Sequence, residues 1–258
     1  MLLTDQFAFI HQPKTGGTFV TEMLERILAK RTSARGGPAL VNTEKHGTCD
    51  DIPESHRGLP ILSVFRSPWS RYVSQYHFSW WKDKVPPRID LAAVKRDFPE
   101  FPEVTFPEYV AMVNRHFVPQ GEAAARTSEP LGFNSHQFVR FYFRGAEAAW
   151  RRLDDAALRE GTFRRDMHAV RFLRQDHLNE DLHAALADLG FDPGEIAFIP
   201  KQGKVLPHAP RQAKRPDRPW WEMWPVDLAA DVRKRERLIW AIFPEAEGEL
   251  DRARARGT

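Results

Sequence analysis

The chain has 258 residues, 42% of them apolar, enough for one α/β domain with its own core; a mean hydropathy of -0.52 and the lack of any run of spanning length exclude a helical membrane protein. A net charge of +3, from 38 basic and 35 acidic residues, gives no general basic field for nucleic acid. The single cysteine, Cys49, excludes an internal disulfide and a multi-cysteine metal centre, and a start without basic residues, broken by Asp5 and Gln6, does not read as a signal peptide, so a cytoplasmic location is expected.

Residues 7–10 form a short apolar run that reads as a buried strand. Residues 18–30 follow with Phe19, Val20, Met23, Leu24 and Ile27 at helical spacing. Between them, Pro13-Lys14-Thr15-Gly16-Gly17 must be a tight strand-to-helix turn. Glycines let backbone come close to a ligand, and the unpaired N–H groups of a helix start point outward. An anion is the natural occupant, and Lys14 adds charge. The loop is not the usual nucleotide signature, which places lysine after the glycines.

A second continuous apolar run, residues 59–65, predicts a strand buried on both faces. Pro68 then suits the first turn of a helix through about residue 80. Residues 85–107 are punctuated by prolines and read as loop. Helices are expected at 107–116, 134–144, 178–189 and 227–242, and a strand at 169–173. Strands alternating with helices predict a mainly parallel central sheet flanked by helices. Ligands of such sheets bind beyond the carboxyl ends of the strands. Arg66 leaves the second strand at that end, and Ser74 lies about two turns into the helix that follows. A guanidinium fork and a hydroxyl there suit a second phosphate.

PKTGGT followed by FRSPWSRYVSQYHF resembles the sulfotransferases that use 3′-phosphoadenosine 5′-phosphosulfate (PAPS). The resemblance implies a P-loop-like fold over a single domain, residues 1–258, with an unplaced loop-rich insert at about 85–130. It implies that Lys14, Thr15, Gly16, Gly17 and Thr18 bind the 5′-phosphosulfate, and that Arg66 and Ser74 bind the 3′-phosphate. AVRFLRQDHLNEDLHAALADLGF looks like the family's late strand-helix unit, and residues 206–243 are similar to its closing segment. The Arg-Lys-Gly loop of the cytosolic branch is missing; Ala213-Lys214-Arg215-Pro216 is a loose substitute. The Gly-Gly form, with a histidine downstream, is more similar to the carbohydrate branch; unlike that branch's Golgi members, this chain is expected to carry no membrane anchor, which suits a soluble, bacterial type of enzyme.

Sulfuryl transfer needs positive charge at the leaving phosphate, which Lys14 and the helix-start amides suit. PAPS is the implied co-substrate, no metal is required, and the implied acceptor is a hydroxyl on a carbohydrate. Among ten histidines, His46 is the candidate general base, since it sits before small residues between the two motifs and an imidazole suits proton abstraction at neutral pH. His77 is the next candidate, Glu44, Asp50 and Asp51 are possible bases or orienting groups, and His11 reads as packed. Two other readings stay open: an ATP-dependent phosphotransferase, and a non-catalytic module binding an adenine nucleotide or a sulfated glycan. The paired tryptophans, Trp80-Trp81 and Trp220-Trp221, are either ring platforms or core. The basic tract from Lys201 to Trp220 is either a solvated loop or a cover for the anion.

Overall fold

The computed structural model describes residues 1–28, 39–203, 205 and 218–257. They fall into two compact units. The first joins Met1–Arg66 to the described residues of 168–205, and the second joins Ser67–Met167 to those of 218–257.

The first unit is built on a five-stranded sheet of order β3-β1-β2-β4-β5. Its strands are β1 (Leu2–Thr4), β2 (Ala8–Ile10), β3 (Leu40–Asn42), β4 (Ile61–Phe65) and β5 (Val170–Arg174). The predicted strands at 7–10, 59–65 and 169–173 are all present, and β2, β4 and β5 run parallel. The expectation of a mainly parallel sheet needs correction, because β1 pairs antiparallel with both β2 and β3. The cause is local. Only Asp5 and Gln6 separate β1 from Phe7, and a connection that short can only make a hairpin. Thr4 staples it, its hydroxyl donating to the Phe7 carbonyl at 2.8 Å and accepting the Phe7 amide at 2.9 Å.

Helix α1 (Gly17–Leu28) and the helix Leu178–Asp188 bury their apolar stripes against this sheet. Phe19, Val20, Met23 and Leu24 of α1 meet Phe9, Leu62, Val64 and Leu173 of the strands and Leu182 and Leu186 of the later helix in one core. Burying a side chain of this size contributes about 1.5–3 kcal/mol, so the packing of α1 fixes where its first turn sits. The end of the predicted helix 18–30 lies outside the described residues.

The second unit is helical and aromatic. Helix α2 (Pro68–Phe78) starts on its proline as expected and stops at Ser79, whose φ of 54° ends the helical path. Trp69 stacks on Trp240 at 5.4 Å and meets Trp224 edge-on at 5.1 Å. The expected loop at 85–107 holds the short helix Leu91–Asp97, capped by the Asp90 carboxylate on the Ala93 amide. The expected helices at 107–116 and 134–144 appear as Phe106–His116 and Phe133–Tyr142. The single helix expected at 227–242 is instead Val226–Arg235 and Arg237–Ile242. The break falls at Glu236, whose fully buried carboxylate accepts the Tyr72 hydroxyl at 2.6 Å and the Asn134 and Ser135 amides at 3.1 and 2.7 Å. Three other chain segments gather around that one side chain when Asn114, bonded to the same Tyr72 hydroxyl, is included. No described helix is long and apolar enough to cross a membrane.

Candidate anion-binding turn and its histidine pair

The turn between β2 and α1 combines two left-handed backbone positions, Lys14 at φ 66° and Gly16 at φ 112°. For glycine that conformation is free of strain, but a lysine pays for it with a left-handed residue's ordinary cost of about 1–2 kcal/mol. Strain of this kind gathers where backbone must be aimed at a ligand. Alternating backbone of this sort turns successive amides into a concavity that favours anions. Helix α1 begins at Gly17 with no acidic residue in its first turn, so its positive end is not neutralised from within. Gly17 and Thr18, as the first residues of the helix, have no earlier turn to receive their amides.

Three contacts hold the turn in shape. Buried Thr15 donates its hydroxyl to the Gln12 carbonyl at 2.9 Å. The Phe19 amide returns to the Gly16 carbonyl at 3.0 Å. Arg66 reaches across from the end of β4 and donates Nη1 to the Lys14 carbonyl at 3.2 Å. The first unit therefore brings Arg66 to the lysine turn, as the parallel pairing of β2 with β4 requires. Both glycines are also needed for packing. A Cβ on Gly17 would lie 2.4 Å from His11 Cδ2, and one on Gly16 would lie 3.0 Å from Leu178 Cδ2.

His46 lies on this same edge. Its Nδ1 is 3.0 Å from the His11 carbonyl oxygen, and the two rings meet edge to face at 5.3 Å. A carbonyl oxygen only accepts, so Nδ1 is the donor and the neutral ring carries its lone pair on Nε2. His11 itself is buried under Gly17, and burial, with the nearby His46, Lys45 and amino-terminal charges, pushes its pKa down to about 3. It is a neutral packing residue, as the sequence suggested. Its carbonyl as the anchor of His46 was not legible, because the two residues are 35 apart and no spacing rule joins them. A small cavity of about 140 Å³ opens beside His11, lined also by Thr21, Asn42 and Lys45.

The other candidate bases have structural partners or lie elsewhere. Asp50 meets His168 Nε2 at 2.9 Å, and Asp51 accepts the Thr48 amide and hydroxyl at 2.7 and 2.8 Å. Glu44 is exposed. Ser74 and His77 lie on α2 in the second unit, both partly buried. Trp81 is core, stacked on Tyr109 at 4.5 Å, and Trp80 donates to the Tyr109 hydroxyl at 3.4 Å. Trp220 and Trp221 meet edge to face at 5.8 Å. Much of the basic tract, including Lys204, Arg211, Lys214 and Arg215, and most of the expected closing segment before residue 218 lie outside the described residues. Among the described residues, no group of three or more His, Cys, Asp or Glu is placed to hold a metal ion.

Comparison with family models, with curated proteins and with solved structures finds no match to this chain.

Proposed function

We propose that the chain is a sulfotransferase with a P-loop-like fold, moving the sulfuryl group from PAPS to an acceptor hydroxyl on a carbohydrate. One observation carries the reading: a strained lysine-glycine turn at a helix start, braced by Arg66, has a histidine of fixed tautomer, His46, anchored on the His11 carbonyl three residues before Lys14.

In this reading the turn receives the 5′-phosphosulfate through Lys14, Thr15, Gly16, Gly17 and Thr18. Arg66 and Ser74 take the 3′-phosphate. The acceptor oxygen attacks sulfur, the bond from sulfur to the bridging oxygen breaks, and that oxygen leaves as a 5′-phosphate. Lys14 and the helix-start amides stabilise the charge growing there. The acceptor's proton passes to Nε2 of His46, the nitrogen opposite the one donating to His11, a step worth about 10²–10⁴ in rate.

The test is transfer of labelled sulfur from PAPS to a panel of mono- and oligosaccharides. Label in a sugar product supports the reading. Binding of PAPS without transfer to any acceptor favours the binding module, and labelled phosphate transfer from ATP favours the phosphotransferase.

A further inference from the structure

The second unit contains a cavity of about 580 Å³, within the range that holds a small organic ligand. It is formed by the loop before Leu91–Asp97, the end of Phe106–His116, and the helices Phe133–Tyr142 and Ala146–Arg152. Four arginines line it, Arg88, Arg115, Arg140 and Arg151, against two acids, Asp90 and Glu147. The acids do not neutralise them. Asp90 is occupied as a helix cap on the Ala93 amide, and Arg115 pairs at 3.1 Å with Asp97 outside the lining. Arg88, Arg140 and Arg151 form no ion pair with a described carboxylate.

Two of these cations line the same cavity and repel each other. Burial and the Arg140 charge together hold the Arg88 guanidinium below its ordinary pKa. His136, on Phe133–Tyr142 and in the same lining, is pushed down to about 4 by burial and by both arginines, so it adds no charge of its own at neutral pH. A protein gains nothing from holding like charges together in a partly desolvated cavity unless an anion joins them. The wall has a second deficit. Trp150 is 3% exposed, yet its Nε1 has no acceptor among the described residues, and Nδ1 of His136, whose ring meets Trp150 at 4.9 Å, likewise has no partner among them. Apart from His116 and Gln120, the rest of the lining, including Phe117 and Val139, is apolar.

The geometry points to a binding site for a small organic anion, with a carboxylate, sulfate or phosphate head between Arg88 and Arg140 and an apolar or ring-shaped body against Trp150, Phe117 and Val139. Guanidinium forks suit such heads through paired hydrogen bonds. The site stands independently of the donor turn, and its test uses no nucleotide.

The full chain is titrated calorimetrically with phenyl phosphate, phenyl sulfate, benzoate and the neutral benzyl alcohol. At least one of the anions should bind while the alcohol does not, and the strongest of the three identifies the head group. Arg88→Gln/Arg140→Gln should weaken that anion by at least about tenfold with the unfolding temperature unchanged. Both arginines are exposed enough for the fold to survive, and the two single variants, each weaker than wild type, give the same reading if the pair does not fold. No binding by any anion, equal binding of benzyl alcohol, or full affinity in folded variants would overturn the site.

Discussion

His46 donates Nδ1 to the His11 carbonyl across 3.0 Å, three residues before Lys14. That bond fixes the tautomer and leaves Nε2 as the basic nitrogen. His46→Ala should therefore keep its affinity for adenosine 3′,5′-bisphosphate, because in the proposed reaction the base touches the acceptor alone. Turnover should fall by a factor on the order of 10², and the acidic limb of the pH–rate profile should vanish. Normal turnover with the same acidic limb would move attention to His77.

The left-handed Lys14 separates function from stability. Lys14→Gly relieves about 1–2 kcal/mol of backbone cost and gives back about 0.5–1 kcal/mol as unfolded-chain freedom. Denaturant unfolding should show a variant at least as stable as wild type, while sulfuryl transfer is lost. A stability loss of the size seen for core substitutions would make Lys14 structural.

Gly17 and His11 should be energetically coupled. Gly17→Ala puts a methyl 2.4 Å from a buried ring, an overpacking that costs about 1–3 kcal/mol. In a double-mutant cycle, His11→Ala should remove most of that cost. Additive effects would mean that the turn moves aside instead.

The depressed pKa of His11, about 3 against an ordinary 6.5, makes a signed prediction. Between these values the unfolded chain binds a proton that the folded one refuses, so stability rises with pH. The contribution is complete above about pH 6.5 and is lost at up to about 1.4 kcal/mol per unit as pH falls toward 3. The stability difference between wild type and His11→Gln should be flat above pH 6.5 and should shrink below it. Parallel curves down to pH 4 would contradict the assignment.

The strand-turn-helix around Lys14 was legible because everything it needs is local: an apolar run, two glycines and a helical stripe. The same holds for β4 with α2 and for β5 with its helix. The features missed depend on partners far along the chain. Three-residue strands such as β1 and β3 are too short to show a period of two, and the Thr4 staple that makes the first hairpin lies in side-chain geometry. The interruption at Glu236 comes from Tyr72, Asn134 and Ser135, more than 100 residues away for each. Arg88 and Arg140 line one cavity only because the second unit folds their distant segments together. For the lysine-glycine turn, the local sequence named the candidate residues, but only the fold brought His46 to the His11 carbonyl.

The central claim is that the turn and its arginine belong to a nucleotide with a 3′-phosphate, and calorimetry with adenosine 3′,5′-bisphosphate and with magnesium-ATP tests it most directly. The bisphosphate should bind more tightly, without need of magnesium, and Ser74→Ala should weaken it about tenfold or more through a lost charged hydrogen bond while leaving adenosine 5′-phosphate unchanged. Tighter binding of magnesium-ATP, or no discrimination for the 3′-phosphate, would contradict the account.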